Sequence, residues 1–175
     1  MGRQMRESVI EVAGTKLGYR EAGAGAPVLF LHGAAGASWD PLHDELSAGC
    51  RVIAPEHPGF GRGQIPDWMM GVGDVAFFYL DLMQALDLRN VHLVGHGLGG
   101  WIAAEIAIRS TARLASLALL APAGKLVFSN NAQKFKLDAE VGRMYKVTDI
   151  SRATLPKDFE RNPRIHQCFE LESAK

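Results

Sequence analysis

Residues 91–100 read VHLVGHGLGG, and this stretch decides the fold. Its first four residues predict a short buried strand, and the glycines that follow predict a sharp turn into an apolar helix over Leu98–Arg109. The spacing of Gly95, Gly97 and Gly99 matches a G-x-S-x-G elbow, in which a strained strand-to-helix turn holds a serine hydroxyl above a sheet. The middle position is glycine in this chain, so the turn is present without the atom that would attack a substrate.

The whole chain has the composition of one globular domain. Of its 175 residues 47% are hydrophobic and 22% charged, and 19 basic residues balance 19 acidic ones. This balance gives no field that steers the protein to nucleic acid or to an anionic membrane, so neither is expected as a partner. The sequence shows no signal peptide and no run near the roughly 20 apolar residues of a membrane span, which predicts a cytoplasmic protein.

The two cysteines give no sign of a disulfide framework or a metal site. Cys50 and Cys168 stand far apart and neither belongs to a CxxC pair. Zinc sites and redox motifs need such spacing, so no metal is expected and a reducing compartment fits the chain.

Predicted strands and helices alternate along the first two thirds of the chain. Alternation of this kind favours parallel βαβ units, with helices on both faces of a doubly wound sheet. Ser38 is the predicted N-cap of the first helix, because its hydroxyl can accept from a free N–H of the first turn. The predicted strands are Ser8–Val12, Lys16–Glu21, Val28–Leu31, Arg51–Ala54, Val91–Val94 and Leu114–Leu120, and the predicted helices run to Ser47 and over Val72–Leu86 and Leu98–Arg109.

The character of the sequence changes after Gly124. The remaining residues are polar, charged and weakly periodic, and they contain no run like the one at Val28–Leu31. Short helices are predicted near 132–145 and 151–159. We therefore divide the chain into a core segment, 1–124, and a second segment, 125–175.

Four motifs each end a predicted strand. They are Leu31-His32-Gly33, the Pro55–Gly63 loop with Pro58, Gly59 and Gly61, the Gly95–Gly100 elbow and Leu119-Leu120-Ala121-Pro122. In order and spacing these motifs resemble the α/β-hydrolase family. The resemblance covers residues 8–124 and implies an α/β-hydrolase-like, mostly parallel sheet. It implies the small, cofactor-free branch that contains esterases and C–C bond hydrolases, acting on a small-molecule substrate.

The resemblance also implies the positions of the site. Gly97 stands at the nucleophile position, and the oxyanion hole would use the backbone N–H groups of Ala34 and Leu98. The other residues expected around a bound substrate are His32, Gly33, His96 and Trp101.

The histidines near the elbow each have two interpretations. His32 is expected to brace its loop rather than act as a base, and His96 to pack at the pocket rim rather than take part in the chemistry, because a catalytic histidine needs a partner within hydrogen-bond reach. His57 lies in a turn rich in proline and glycine and is expected to be solvated.

Two departures from the family pattern predict an inactive protein. Gly97 replaces the serine, and the acid and base that follow the sixth strand in the family's chain order are missing, together with the last two core strands. Residues 125–175 resemble the helical lid that follows the sixth strand, and His166 lies near the lid's end. The expected function is a serine hydrolase fold without activity, and the alternative is a non-catalytic protein that binds a small molecule or serves as a scaffold.

The sixth predicted strand is expected to form an exposed edge of the sheet. Its sequence, LASLALL, contains neither a charge nor a proline. Native edge strands use such residues to prevent pairing with another chain. The sequence therefore predicts a homo-oligomer that forms through Leu114–Leu120.

Overall fold

A computed structural model of the protein describes residues 5–61 and 63–123. Six strands form one sheet in the order β1-β2-β4-β3-β5-β6, and three helices connect them. The strands are β1 (Arg6–Val12), β2 (Thr15–Ala22), β3 (Pro27–Leu31), β4 (Arg51–Pro55), β5 (Val91–His96) and β6 (Leu114–Leu120), and the helices are α1 (Pro41–Ser47), α2 (Val72–Ala85) and α3 (Leu98–Arg109).

The sheet is mixed, and its larger part is parallel. β1 and β2 form an antiparallel hairpin, and β2 also pairs antiparallel with β4. β3 pairs parallel with β4 and β5, and β5 pairs parallel with β6. The predicted α/β class is thus confirmed. The helices predicted near 132–145 and 151–159, and the lid predicted over 125–175, lie outside the described residues.

The central strand β3 shows how the two faces of the sheet are covered. Successive side chains of a strand point to opposite faces, and Leu29 and Leu31 join the core that α2 and α3 form on one face. Phe30 points the other way, where its ring centroid lies 4.3 Å from that of His43 in α1. Helices therefore cover both faces, as the alternation of strands and helices predicts.

Helix α1 begins later than the sequence suggests. Asp40, not Ser38, is the N-cap, and its carboxylate accepts the N–H of Leu42 at 3.0 Å. The ring of His43 accepts the N–H of Asp40 at 3.2 Å, which completes a capping box. Pro41 occupies the first helical position, where its missing N–H costs nothing and its fixed φ suits the helix. Asp40, the residue before this proline, is therefore the N-cap.

Strand β6 lies at an edge of the sheet within the described residues. It pairs with β5 on one side, and no other described strand borders it. Leu117 is buried beneath α3, whereas Ala115 is exposed and the other five residues are half-buried. The bounds of the strand are as predicted, whereas its exposure as an edge and the homo-oligomer expected from it stay predictions.

Candidate active site

The turn between β5 and α3 has the backbone geometry of an elbow. Gly97 adopts φ 54° and ψ −116° between the last residue of β5 and the first residue of α3. Its N–H donates to the carbonyl of Leu120 at 3.0 Å, and its own carbonyl accepts from Gly100 at 3.0 Å and from Ala123 at 2.7 Å. A positive φ costs little for glycine and strains other residues, so the backbone here is the one that a nucleophile elbow imposes on its serine.

Gly99 allows α3 to approach β3 closely. A Cβ atom at this position would lie 2.1 Å from the carbonyl oxygen of Leu31. The N–H of Gly99 donates to the carbonyl of His32 at 3.0 Å, which ties the start of the helix to the loop that follows β3. This contact between backbones brings together the two segments of the predicted site, which are the loop after β3 and the start of α3.

The space above Gly97 would accommodate a side chain. A Cβ atom here would meet only the Cα of Gly33, at 3.5 Å, which is an ordinary van der Waals contact. A Cβ atom at Gly33 would in turn lie 3.0 Å from Nδ1 of His96. The structure thus places Gly33, His96 and Gly97 side by side, and no steric barrier explains the missing serine side chain.

The two backbone N–H groups expected to form the oxyanion hole follow Gly97 and Gly33 in the chain. Leu98 is the first residue of α3, and Ala34 is exposed in the loop after β3. Within residues 5–61 and 63–123, neither N–H donates a hydrogen bond. The first N–H groups of a helix lack intrahelical acceptors and carry the positive end of its dipole, which favours a negatively charged oxygen.

A buried cluster of two histidines and a tyrosine supports the loop after β3. The N–H of His57 donates to Nε2 of His32 at 2.9 Å, and Nε2 of His57 donates to the carbonyl of His32 at 2.8 Å. Nδ1 of His32 donates to the carbonyl of Gly33 at 2.7 Å, and the hydroxyl of Tyr79 donates to Nδ1 of His57 at 2.5 Å. These carbonyl contacts fix the tautomer of both rings, because a carbonyl oxygen only accepts.

The cluster confirms one expectation and corrects another. His32 braces its loop, as expected, since both of its ring nitrogens bond within the protein. His57 is only 2% exposed, so the expectation that it is solvated is wrong. Its ring lies 3.8 Å from the ring of His32, between centroids, and meets Tyr79 of α2 on the other side. The proline- and glycine-rich loop folds inward over β3, which the composition of the loop does not reveal.

Burial keeps both histidines neutral. It lowers the pKa of His57 to about 3, and the neighbouring His32 lowers it further when charged. Burial also lowers the pKa of His32, although the carbonyl of Gly33 and the carboxylate of Glu56 oppose that change. Tyr79 is fully buried, which raises the pKa of its phenol well above the usual 10.0. The cluster is thus a neutral hydrogen-bonded network that positions the loop of Ala34.

We expect the stability of the protein to fall as the pH decreases from about 6.5 towards 3. In this range the unfolded chain protonates position 57 while the folded protein does not, so each pH unit removes up to about 1.4 kcal/mol for this group. Urea midpoints measured at several pH values test the expectation. His57→Gln should flatten the slope relative to the unchanged protein, and an identical slope in the two proteins would contradict it.

His96 and Trp101 are the two other side chains expected around a bound substrate. The side chain of His96 is exposed beside Gly33, as a residue at a pocket rim would be. Trp101 is 38% exposed, and its Nε1 donates to Glu105 at 3.3 Å, one turn farther along α3 from the elbow. The role of either side chain in binding a substrate stays a prediction.

Among residues 5–61 and 63–123, no three His, Cys, Asp or Glu side chains are grouped to hold a metal ion. No helix within the same ranges has the length and apolar character that crossing a lipid bilayer requires.

Sequence reasoning missed Tyr79 and the inward position of His57. Tyr79 stands in the apolar stripe of α2, 22 residues beyond His57, and the stripe indicates only that the side chain is buried. The residue type itself could have indicated this hydrogen bond, because a buried tyrosine hydroxyl needs a polar partner.

The sheet order and the alternation of strands and helices define an α/β protein. The sequence model described as the alpha/beta hydrolase fold matches residues 26–164, which is most of the chain. The chain belongs to the α/β-hydrolase fold family.

Individual relatives fall into two groups. The 2-hydroxymuconate semialdehyde hydrolase of Pseudomonas sp. (strain CF600) is 35% identical over 121 residues, which is 66% of this chain and 43% of that enzyme. The ribosomal RNA large subunit methyltransferase K/L of Allochromatium vinosum is 50% identical over 58 residues, which is 33% of this chain but only 8% of that protein. The chain thus spans less than half the length of either relative.

Solved structures agree with the family assignment. Cfl2 from Burkholderia cenocepacia superposes with a TM-score of 0.66 at 25% identity. The match covers 73% of this chain and 45% of Cfl2. The likeness therefore covers most of this chain and again less than half of the relative.

Proposed function

We propose that this chain carries the oxyanion-binding part of an ester or C–C bond hydrolase site without its nucleophile, and that it does not hydrolyse substrates as it stands. The observation that carries the proposal is Gly97, which has the positive φ of an elbow but no side chain. Serine hydrolases of this fold attack the substrate from the corresponding position. The described elbow therefore keeps the geometry of the site and lacks its reacting atom.

The oxyanion-binding part rests on Ala34 and Leu98. Neither N–H has an acceptor among the described residues, and α3 directs its positive end towards the same region. Backbone N–H groups held in this way stabilise the negative oxygen that develops when a carbonyl is attacked. A carbonyl or carboxylate oxygen is the ligand group that this arrangement suits.

The state of the two buried histidines beneath the loop supports the proposed inactivity. His32 and His57 are buried, neutral and hydrogen-bonded to each other, so neither is available to activate a nucleophile at position 97. A serine or water molecule without a base nearby is a weak nucleophile at neutral pH. The family's own acid and base follow the sixth strand in chain order, beyond the described sheet.

The hydrolase relative suggests a substrate class. By its name, the Pseudomonas enzyme acts on 2-hydroxymuconate semialdehyde, a small unsaturated acid that carries a carbonyl group. We propose a small carbonyl compound of this general kind as the ligand. The second candidate is a binding or scaffold protein on the same fold, and Gly97 favours it too because glycine relieves the strain that a serine would cause there.

We propose no methyltransferase activity for this chain. The matched stretch is 8% of the methyltransferase relative, which is too little for an independent catalytic domain. The methyltransferase match covers 33% of this chain and the hydrolase match covers 66%, so the two matched lengths together nearly equal the length of the chain. We infer that the methyltransferase-like stretch lies mainly after the described sheet, where the sequence changes character, and the lid predicted over 125–175 remains the competing interpretation.

A cysteine at the elbow would test the site without requiring a base. Gly97→Cys introduces a thiol at the start of α3, where the helix terminus lowers thiol pKa values and favours the reactive thiolate. We expect p-nitrophenyl acetate to release one additional equivalent of nitrophenolate from this variant, in a burst, relative to the unchanged chain. The unchanged chain is the control for acylation of Cys50 and Cys168. No additional burst would contradict an accessible elbow.

Removing an N–H donor would test the oxyanion hole in the Gly97→Cys background. Ala34→Pro should slow acylation of the introduced thiol about tenfold or more, because one such donor is worth about 10²- to 10³-fold in enzymes of this kind. The matched control is Ala35→Pro, which removes the neighbouring N–H, and circular dichroism checks that both variants fold. Equal rates in the two proline variants would overturn the role of Ala34 and leave the elbow itself intact.

A further inference from the structure

The hydroxyl of Tyr79 begins a series of hydrogen bonds that ends at the peptide group between Gly33 and Ala34. Tyr79 lies in α2 and is fully buried, so its phenol has no access to a bound substrate. Its hydroxyl lies 2.5 Å from Nδ1 of His57. His57 is bonded twice to His32, and Nδ1 of His32 donates to the carbonyl of Gly33 at 2.7 Å. Each bond of the series therefore constrains the next one.

The carbonyl groups in the series determine which atom donates in each bond. Because the carbonyl of His32 only accepts, Nε2 of His57 carries the ring proton and Nδ1 is left as an acceptor for the hydroxyl of Tyr79. The order is reversed in His32, since its Nε2 accepts the N–H of His57 and its Nδ1 carries the proton. The hydroxyl of Tyr79 thus stabilises the tautomer of His57 that the rest of the series requires.

The last bond of the series orients the N–H of Ala34. The carbonyl of Gly33 and the N–H of Ala34 belong to one planar trans peptide group, in which the two bonds point in opposite directions. This carbonyl accepts from Nδ1 of His32 and also from the N–H of Gly36 at 3.2 Å, so its direction is fixed by two donors. The N–H of Ala34 is therefore directed away from the buried ring, on an exposed residue of the loop.

We propose that Tyr79 and His57 are positioning residues for the oxyanion hole, because they act through His32 on the direction of its N–H donor. The inference rests on the proposed function, which assigns the N–H of Ala34 to a carbonyl oxygen of the ligand. Without the hydroxyl of Tyr79, Nδ1 of His57 is a buried acceptor without a donor, which is costly. The other tautomer of His57 would face the carbonyl of His32 with a bare nitrogen, so the ring of His32 and the peptide beyond it would lose their fixed orientation.

Removing the hydroxyl of Tyr79 in the Gly97→Cys background tests this role. Tyr79→Phe keeps the ring and should slow acylation of the introduced thiol by p-nitrophenyl acetate about threefold or more, as the loss of one buried hydrogen bond does. Alkylation of the same thiol by iodoacetamide forms no oxyanion, so its rate should stay unchanged. Mass spectrometry of the peptide that contains position 97 measures both rates. Equal slowing of the two reactions, or no slowing of acylation, would overturn the inference.

The neighbouring position in α2 provides a matched control. Phe78 is as completely buried as Tyr79 and has no polar group in its side chain. Phe78→Leu changes the packing of α2 but removes none of these hydrogen bonds, so the ratio of acylation to alkylation should equal that of Gly97→Cys alone. Circular dichroism checks that each variant folds. A ratio that falls as far as with Tyr79→Phe would assign the effect to packing and overturn the inference.

The nitrogen chemical shifts of the two rings test the series without any reaction. In the unchanged chain at neutral pH, ¹⁵N-labelled His57 should carry its proton on Nε2 and His32 on Nδ1. Tyr79→Phe should add the second tautomer of His57. The opposite tautomer of either ring in the unchanged chain would overturn the inference. A Gly97→Cys chain that is alkylated but not acylated would instead contradict the proposed function, and the ring shifts still report on the series independently.

Discussion

Native and heat-inactivated samples of this chain are expected to hydrolyse p-nitrophenyl butyrate at the same rate. Gly97 provides no nucleophile, and the buried His32 and His57 are hydrogen-bonded to each other, so neither serves as a base for this position. Loss of the triad in a serine hydrolase costs about 10⁶-fold in turnover, which is below detection in an ester assay. Steady-state release of nitrophenolate measures the rate. A rate that saturates with substrate and disappears on unfolding would contradict the prediction.

Restoring the serine should not by itself restore turnover. Gly97→Ser fits sterically, because a Cβ atom there meets only Gly33 at 3.5 Å, but its hydroxyl remains protonated without a base. The same assay on this variant should therefore give the background rate. Stoichiometric reaction with a fluorophosphonate would show instead that this chain already supplies a base, and His96 and His166 would be the first residues to replace.

Gly99→Ala is expected to have the largest effect on stability of any substitution at the elbow. The new methyl group would lie 2.1 Å from the carbonyl oxygen of Leu31, and both atoms belong to backbone segments held by the sheet and by α3. Relief requires moving the helix from the strand, so we expect a loss of about 3 kcal/mol or more in the free energy of unfolding. Urea denaturation followed by circular dichroism measures it.

Two other glycines are controls for this prediction. Gly49→Ala meets no atom within 4 Å, so its free energy of unfolding should stay within about 0.5 kcal/mol of the unchanged chain. Gly97→Ala has space but a positive φ, which should cost about 1–2 kcal/mol. Equal stability of the alanine variants at 97 and 99 would show that backbone strain, and not the contact with Leu31, governs the elbow.

Much of this fold could be predicted because its signals are local. Continuous apolar runs bounded by glycine and proline indicate the central strands, and the apolar stripe of α2 has the period of a helix. All six strands, α2 and α3 lie within two residues of their predicted bounds. The elbow and the glycine in its middle position could also be recognised from the sequence, because the spacing of Gly95, Gly97 and Gly99 is itself the motif.

The features that could not be predicted depend on contacts between distant segments. Ser38 and Asp40 are both good caps by residue type, and the choice between them followed from Pro41 and His43. His57 was expected in solvent because its turn is rich in proline and glycine. Its burial depends on His32, 25 residues earlier, and on Tyr79 in α2, and the sequence alone does not bring these three side chains together.

At the elbow, the hydrogen bonds that support the fold use only the backbone of Gly97, whereas attack on a substrate would require a side chain there. The peptide groups of Gly97 join β5, α3, the end of β6 and the chain that leaves the sheet at Ala123, and none of these bonds involves a side chain. An exchange of serine for glycine at such a turn would therefore remove the reacting atom while leaving these backbone hydrogen bonds in place and relaxing a strained torsion. Selection for folding alone would keep such a scaffold even without a reaction, so an intact backbone at such a turn is poor evidence for catalytic activity.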